Sequence, residues 1–272
     1  MPDITLTQII YYPIKSTAGI DTQNSLVEPR GLQNDRRWLI IDSSDRFLTA
    51  RERPQLLQLQ ATINDNTLTL NAPGMQELVL DNVKTHKGPR LDVVIWHDEV
   101  NAAGMPALAD EWCSQYLGFE CRLVYMDDLC ERSTDPQFSL SHDIVSFADG
   151  FPCLLISEAS LEDLNTRTPM QVSMRRFRPN LVISGCPAFA EDEWQRLRIG
   201  SVEFAAVKLC SRCVLTTIDP KTSEQHPHQE PLRTLGSYRR QPDRSINFGH
   251  NLIPRGSGIL RVGDRVEVLS IC

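Results

Sequence analysis

The first hundred residues alternate short apolar runs with residues that favour tight turns. The segments LTQIIYYPIKS, RRWLIIDSSDRFLTAR, LQATINDNTLTLNAPG and RLDVVIWHDEV are rich in β-branched and aromatic side chains. Ser-Ser-Asp, Asn-Asp-Asn and Pro-Gly break them, which predicts a small β domain. In PALADEWCSQYLGFE, Leu108, Trp112, Tyr116 and Leu117 recur at helical spacing and Gly118 stands where a helix would stop. This segment predicts an amphipathic helix closing the first half. The polar stretch DDLCERSTDPQFSLSHD reads as a linker or a mobile loop. Beyond it, FPCLLISEASLEDLNTRT predicts a buried strand running into a short helix, with Ser157 as N-cap. FRPNLVISG, LRIGSVEFAAVKL and GILRVGDRVEVLSI add strands, the last two turning at Ile-Gly-Ser and Val-Gly-Asp. The expected fold is α+β and β-dominated, in two domains spanning 1–122 and 123–272, the second a barrel with small helices.

At 272 residues the chain is long enough for two domains, each with a substantial core. With 41% hydrophobic and 23% charged residues its composition is that of a globular protein. No run of about 18 apolar residues that could span a bilayer appears. The opening MPDITLTQII lacks the features of a secretory signal, so a soluble, cytoplasmic protein is expected. A formal charge of −7 argues against binding nucleic acid polymers or anionic membranes over a broad face. Any anion site must be local.

The cysteines at 113, 121, 130, 153, 186, 210, 213 and 272 read mostly as reduced, buried, small apolar residues. One pair differs: VKLCSRCVLTTIDPKT sets Cys210 and Cys213 three positions apart. A thioredoxin-like motif would open a helix, whereas VLTTID is β-branched and strand-like. Structural zinc would need four ligands, and His226 and His228 flank Pro227 at a poor spacing. Two ordinary buried cysteines would leave Arg212, a permanent cation beside Cys213, unexplained. Lys15, Arg36 and Arg178 also stand at strand ends or turns. Any one of them reads as a snorkelling side chain, but together with Arg212, and beside Ser, Asn and Gly, they could cradle a phosphate or a multiply charged cofactor.

YYPIKS, RRWLIIDSSDRFLTARERPQL, SFADGFPCLLISEASLEDLN, RFRPNLVISG, CSRCVLTTIDP, EPLRTLGSYR and NFGHNLI followed by GILRVGDRVEVL occur in this order. In these motifs the chain resembles the MOSC-domain molybdenum proteins, of the bacterial YcbX type and its mitochondrial amidoxime-reducing relatives, from about Leu6 to Leu269. The resemblance implies a MOSC N-terminal β domain joined to a MOSC barrel, and a bound molybdenum cofactor (molybdopterin). It implies Cys213 as the catalytic protein ligand of the metal, with Ser211 and Arg212 touching the cofactor. Lys15, Ser16, Arg36, Arg178 and Asn180 match positions that bind the pterin and its phosphate; Gly150, Phe151 and Asn251 match further contact positions.

The implied reaction is reduction of N-hydroxylated bases, amidoximes or hydroxylamines, small-molecule substrates that lose an oxygen atom. YcbX-type proteins commonly continue into a plant-type ferredoxin domain, but no C-x4-C-x2-C spacing occurs here. An iron-sulfur cluster within the chain is therefore not expected, and a separate ferredoxin-like protein or flavoprotein reductase is the expected electron donor. Asp219 is a proton-donor candidate only by nearness in sequence; an Asx-type turn before Pro220 is the alternative. Two other functions stay open: a cofactor carrier or sulfur-transfer protein without turnover, and a thiol-redox protein using both cysteines.

Overall fold

A computed structural model describes residues 3–271. Its largest sheet has eight strands. In spatial order they are Val266–Ile271, Trp194–Ile199, Val202–Ser211, Asn247–Pro254, Cys153–Ser157, Leu181–Ser184, Thr5–Tyr11 and Ile20–Thr22. All neighbours are antiparallel except Cys153–Ser157 with Leu181–Ser184, a parallel pair joined through the helix Glu158–Arg167. Arg265 bridges to Thr5, and the Leu6 N–H donates to Asp264 (2.9 Å) while the Gly263 N–H donates to Leu6 (2.7 Å). These bonds join the strand at one end of the sheet to Thr5–Tyr11 and close a barrel. Closure removes most of the exposed strand edge, and the interior fills with Leu6, Leu155, Ile183, Leu197, Phe204 and Leu252.

The second core lies within residues 38–126 for the most part. A four-stranded sheet runs in the order Trp38–Asp42, Cys121–Tyr125, Asp98–Gly104 and Arg90–Ile95. Trp38 and Ile40 pack into one cluster and Leu39 and Ile41 into another, so the strand is buried on both faces and its apolar run is unbroken. The expected helix spans Ala107–Leu117 and ends on Gly118 at φ 80°, a left-handed conformation that costs glycine no Cβ clash. Its buried face is Ala109, Trp112, Cys113 and Leu117; Leu108 lies about 100° off that face and is 54% exposed. Hydrogen bonding crosses the expected division at residue 122, because Thr5–Tyr11 pairs with Leu181–Ser184 and Asn24–Glu28 with Gly258–Arg261.

Ser157 caps its helix as expected, its hydroxyl accepting from the Ser160 N–H at 3.1 Å. Two readings need correction, and one strand was not foreseen. The polar stretch after residue 126 is no linker: Cys130, Arg132, Thr134 and Asp143 within it are buried. VLTTID does not continue as a strand. Val214–Thr217 form a single 3-10 turn, because the Thr216 and Thr217 hydroxyls donate back to Cys213 (3.0 Å) and Val214 (2.7 Å). Local hydroxyl bonds of this kind compete with strand pairing. Asn247–Pro254 is a central barrel strand that the apolar pattern does not announce. It carries Gly249 at φ 82°, where register slips against Val202–Ser211 and a Cβ would lie 2.7 Å from the Leu155 carbonyl.

Candidate functional site

Strands ending at Tyr11 and Ser211 and strands beginning at Cys153 and Leu181 bring one end of the barrel against the second core. A partly open cavity lies there. Every cofactor-binding residue expected from the sequence lines it: Lys15 and Ser16, Arg36, Gly150 and Phe151, Arg178 and Asn180, the run Ser211, Arg212 and Cys213, and Asn251. Arg51, Arg176, Thr49 and Asp149 line it too and were not expected. The lining thus holds six cations against a single carboxylate, in a chain of net charge −7. Such a local positive field calls for a multiply charged anion.

The backbone is shaped around this cavity. Ser16, Arg36 and Arg178 have φ of 70°, 49° and 55°, in a region that costs non-glycine residues about 1–3 kcal/mol each. Surrounding bonds hold them there: the Arg36 N–H donates to Tyr12 (2.7 Å), and the Phe147 N–H donates to Arg36 (2.9 Å). The Arg36 guanidinium donates to Asp35 (2.5 Å) and to Asn180 (2.8 Å). Asn180 in turn donates to Ile10 (3.1 Å) and accepts from the Leu154 N–H (3.2 Å). Its amide is therefore engaged in fixing Arg36. Arg178 donates to the Thr17 carbonyl at 2.6 Å, and both guanidinium groups lie over the Tyr12 ring, 4.5 and 4.2 Å from its centroid.

Burial pulls Arg178 down to about 10 and Lys15 down to about 8, the latter against the opposing pull of Asp149, so both are cationic at neutral pH. Lys15 donates to the Phe147 carbonyl (3.0 Å) and pairs with Asp149. Confinement pushes the Asp149 carboxyl up, but Lys15 and Arg51 outweigh it and hold the group well below the usual carboxylate range.

Arg212 donates from Nε to Phe248 (2.8 Å) and from Nη1 to Phe177 (3.0 Å). Its Nη2 is buried with no hydrogen-bond partner. An orphaned guanidinium nitrogen beside an excess of cations fits an anionic ligand, because an unpaired buried donor is costly. Cys213 ends the extended chain and starts the 3-10 turn, its carbonyl accepting from the Thr216 N–H (3.1 Å). Both Cys210 and Cys213 are free thiols. Burial pushes the Cys210 thiol up although Arg212 opposes it, and Cys210 packs against the cluster holding Phe177 and Phe248.

Among the described residues no group of three or more His, Cys, Asp or Glu could hold a metal. His226 accepts from the N–H groups of His228 (3.3 Å) and Glu230 (3.4 Å) within its own turn. A metal at Cys213 would depend on a cofactor for its remaining ligands, and the cation-lined cavity suits that donor set. Asp219 is outside the lining: it accepts from the Lys221 N–H (2.8 Å) in an Asx turn and from Arg176 (2.8 Å). The turn reading, not the proton-donor one, describes it. Arg176 could have been suspected from its position two residues before Arg178 in RRFRPN. Arg51 carries no local signal; only the fold brings it to Asp149, at 3.5 Å.

Residues 3–120 match the family described as the MOSC N-terminal beta barrel domain, and residues 142–267 match the MOSC domain. Fold and sequence together define a two-part MOSC protein. The chain is 36% identical over 280 residues to "Mitochondrial amidoxime-reducing component 1" of Mus musculus, covering 97% of this chain and 82% of that protein. The protein of the same name from Homo sapiens is 35% identical, covering 97% and 83%. "Mitochondrial amidoxime reducing component 2" of Homo sapiens is 34% identical, covering 96% and 82%. The chain belongs to the MOSC-domain family that includes the mitochondrial amidoxime-reducing components.

Proposed function

We propose that this protein is a molybdenum-cofactor-dependent oxidoreductase that reduces N-hydroxylated compounds. Kinship with proteins named amidoxime-reducing components supports reduction at an N–O bond. The observation that carries the finer reading is the cavity itself, in which a free thiol, Cys213, shares the lining with six cations and an orphaned guanidinium nitrogen. When bound, the cofactor would supply two-electron oxygen-atom transfer. Overall, an N–OH group takes up two electrons and two protons and becomes N–H plus water.

The protein's own residues divide the remaining work. Cys213 would offer its sulfur to the metal, a soft donor suited to it. Arg36, Arg178, Arg212 and Lys15 would hold the anionic cofactor through charge-assisted bonds, with Asn180 fixing Arg36. Asp149 stays ionised at neutral pH, so it is a poor proton donor and a good partner for Lys15 and Arg51.

Electrons would come from a separate protein, in keeping with relatives named as components of an amidoxime-reducing system. The test is anaerobic amine formation from an amidoxime by cofactor-loaded protein with three donors. NADH alone is expected to give none, while reduced viologen, or a flavoprotein reductase with its iron-sulfur partner, is expected to sustain turnover. Turnover with NADH alone would reveal an electron-entry site within the chain. Absence of turnover with every donor, in protein that holds the cofactor, would overturn the reductase reading in favour of a carrier.

A further inference from the structure

A loop with a locked neck lies against the wall of this cavity. At its base, buried Arg132 donates to the carbonyls of Ser146 (3.0 Å), Ala148 (2.6 Å) and Asp149 (3.1 Å), and to Asp98 (2.7 Å). The Thr134 N–H donates to the Asp143 carbonyl (3.0 Å). Arg255 grips both carboxylate oxygens of Asp143, at 2.5 and 3.0 Å, and the Leu140 N–H adds a third bond at 2.8 Å. With its neck held this way, the loop presents Phe138.

Phe138 is half-buried and belongs to none of the core clusters. Its ring stands edge-on to Phe151, with centroids 6.2 Å apart at 78°, and Phe151 lines the cavity. The Lys208 ammonium lies 4.3 Å from the Phe138 centroid. Lys208 pairs with Asn251, another lining residue, whose amide donates to its carbonyl at 3.1 Å. Phe138 and Lys208 thus adjoin two residues of the cavity wall, Phe151 and Asn251. A cofactor held by the cations inside leaves this wall as the place where a substrate would lie.

We propose that Phe138 and Phe151 form an aromatic wall that selects planar aromatic N-hydroxylated substrates, with Phe138 the specificity-determining ring and the Arg255–Asp143 clamp positioning it. This rests on the reductase reading and adds a substrate class to it. Lys208 lies over one face of the Phe138 ring, and a conjugated amidoxime or N-hydroxylated base is flat enough to stack on the opposite one. An aliphatic substrate gains no such contact.

The test reads binding by titration calorimetry, using oxidised, cofactor-loaded protein with no electron donor, so that no turnover occurs. Benzamidoxime and acetamidoxime are the paired probes. The unaltered protein is expected to prefer the aromatic probe about tenfold, and Phe138→Ala to lower that preference about five- to tenfold. Phe138→Trp should keep the preference, whereas Phe138→Leu, which retains apolar bulk, should lose it as alanine does. Arg255→Met should give an intermediate loss that leaves acetamidoxime affinity where it was, which general destabilisation would not do. Equal affinities in the unaltered protein, no binding of either probe, an unchanged preference in Phe138→Ala, or full preference in Phe138→Leu would each overturn the proposal. Failure of the reductase reading shows separately, as absent turnover in the donor assay.

Discussion

Cys213→Ser is expected to abolish reduction of N-hydroxylated substrates, with a loss of at least about a hundredfold, since even residues that merely support a metal ligand cost 10–100-fold when removed. The exchange is nearly isosteric, so the effect is chemical. A serine hydroxyl is a hard, neutral donor where a soft anionic sulfur is proposed, and this alters both metal affinity and redox potential. Cys213 is half-buried, and its backbone holds the 3-10 turn through its carbonyl, which the substitution leaves in place. Cys210→Ser should be much milder. Cys210 packs against the cluster that holds Phe177 and Phe248, and burial pushes its thiol up, away from the character of an attacking partner. Its replacement is expected to cost about 0.5–3 kcal/mol of stability and little turnover. Molybdenum content and turnover of the two variants decide the matter. Equal loss at both positions would support a redox pair instead.

Arg178→Glu is expected to empty the cavity of cofactor while the fold survives. Truncating one partner of a buried hydrogen-bonded charge pair costs about 2–5 kcal/mol, and reversing the charge adds repulsion, so pterin recovered per mole of protein should fall below about a tenth. Secondary structure should hold because Arg178 closes a short 3-10 turn, already in the left-handed region, and bonds to a single carbonyl, that of Thr17. The readouts are pterin released on denaturation and the far-UV circular dichroism spectrum. A folded variant with normal pterin would remove Arg178 from the site.

Much of this architecture was legible from local chemistry. Gly118 marked the end of the first helix, Ser157 its cap in the second, and Gly200 and Gly263 the turns of two hairpin-like segments. Where the pattern misled, a local bond or bulge had overridden it. The threonines after Cys213 satisfy their own turn, and Gly249 bends a strand whose polar His250 and Asn251 already obscure its alternation. Barrel closure between Thr5 and Arg265 joins residues near opposite ends of the chain and leaves no trace in any short window.

The site was legible in a different way. Lys15, Arg36, Arg178 and Arg212 are each unremarkable as strand-end or turn cations; taken together they suggested an anion cradle, and their match to a family pattern assigned them to a cofactor. Arg51 and Asp149 were missed because what marks them is spatial: a shared cavity wall and, for Asp149, the cations that hold it ionised. The single-carboxylate lining is likewise a property of the folded surface, invisible in a net charge of −7.

The central claim is that the cation-lined cavity with Cys213 in its wall holds a molybdenum cofactor. Its most direct test is the molybdenum and pterin content of this protein purified from cells able to make that cofactor. About one molybdenum and one pterin per chain, both lost in Arg178→Glu, is the predicted result; folded protein from the same cells carrying neither would contradict the account.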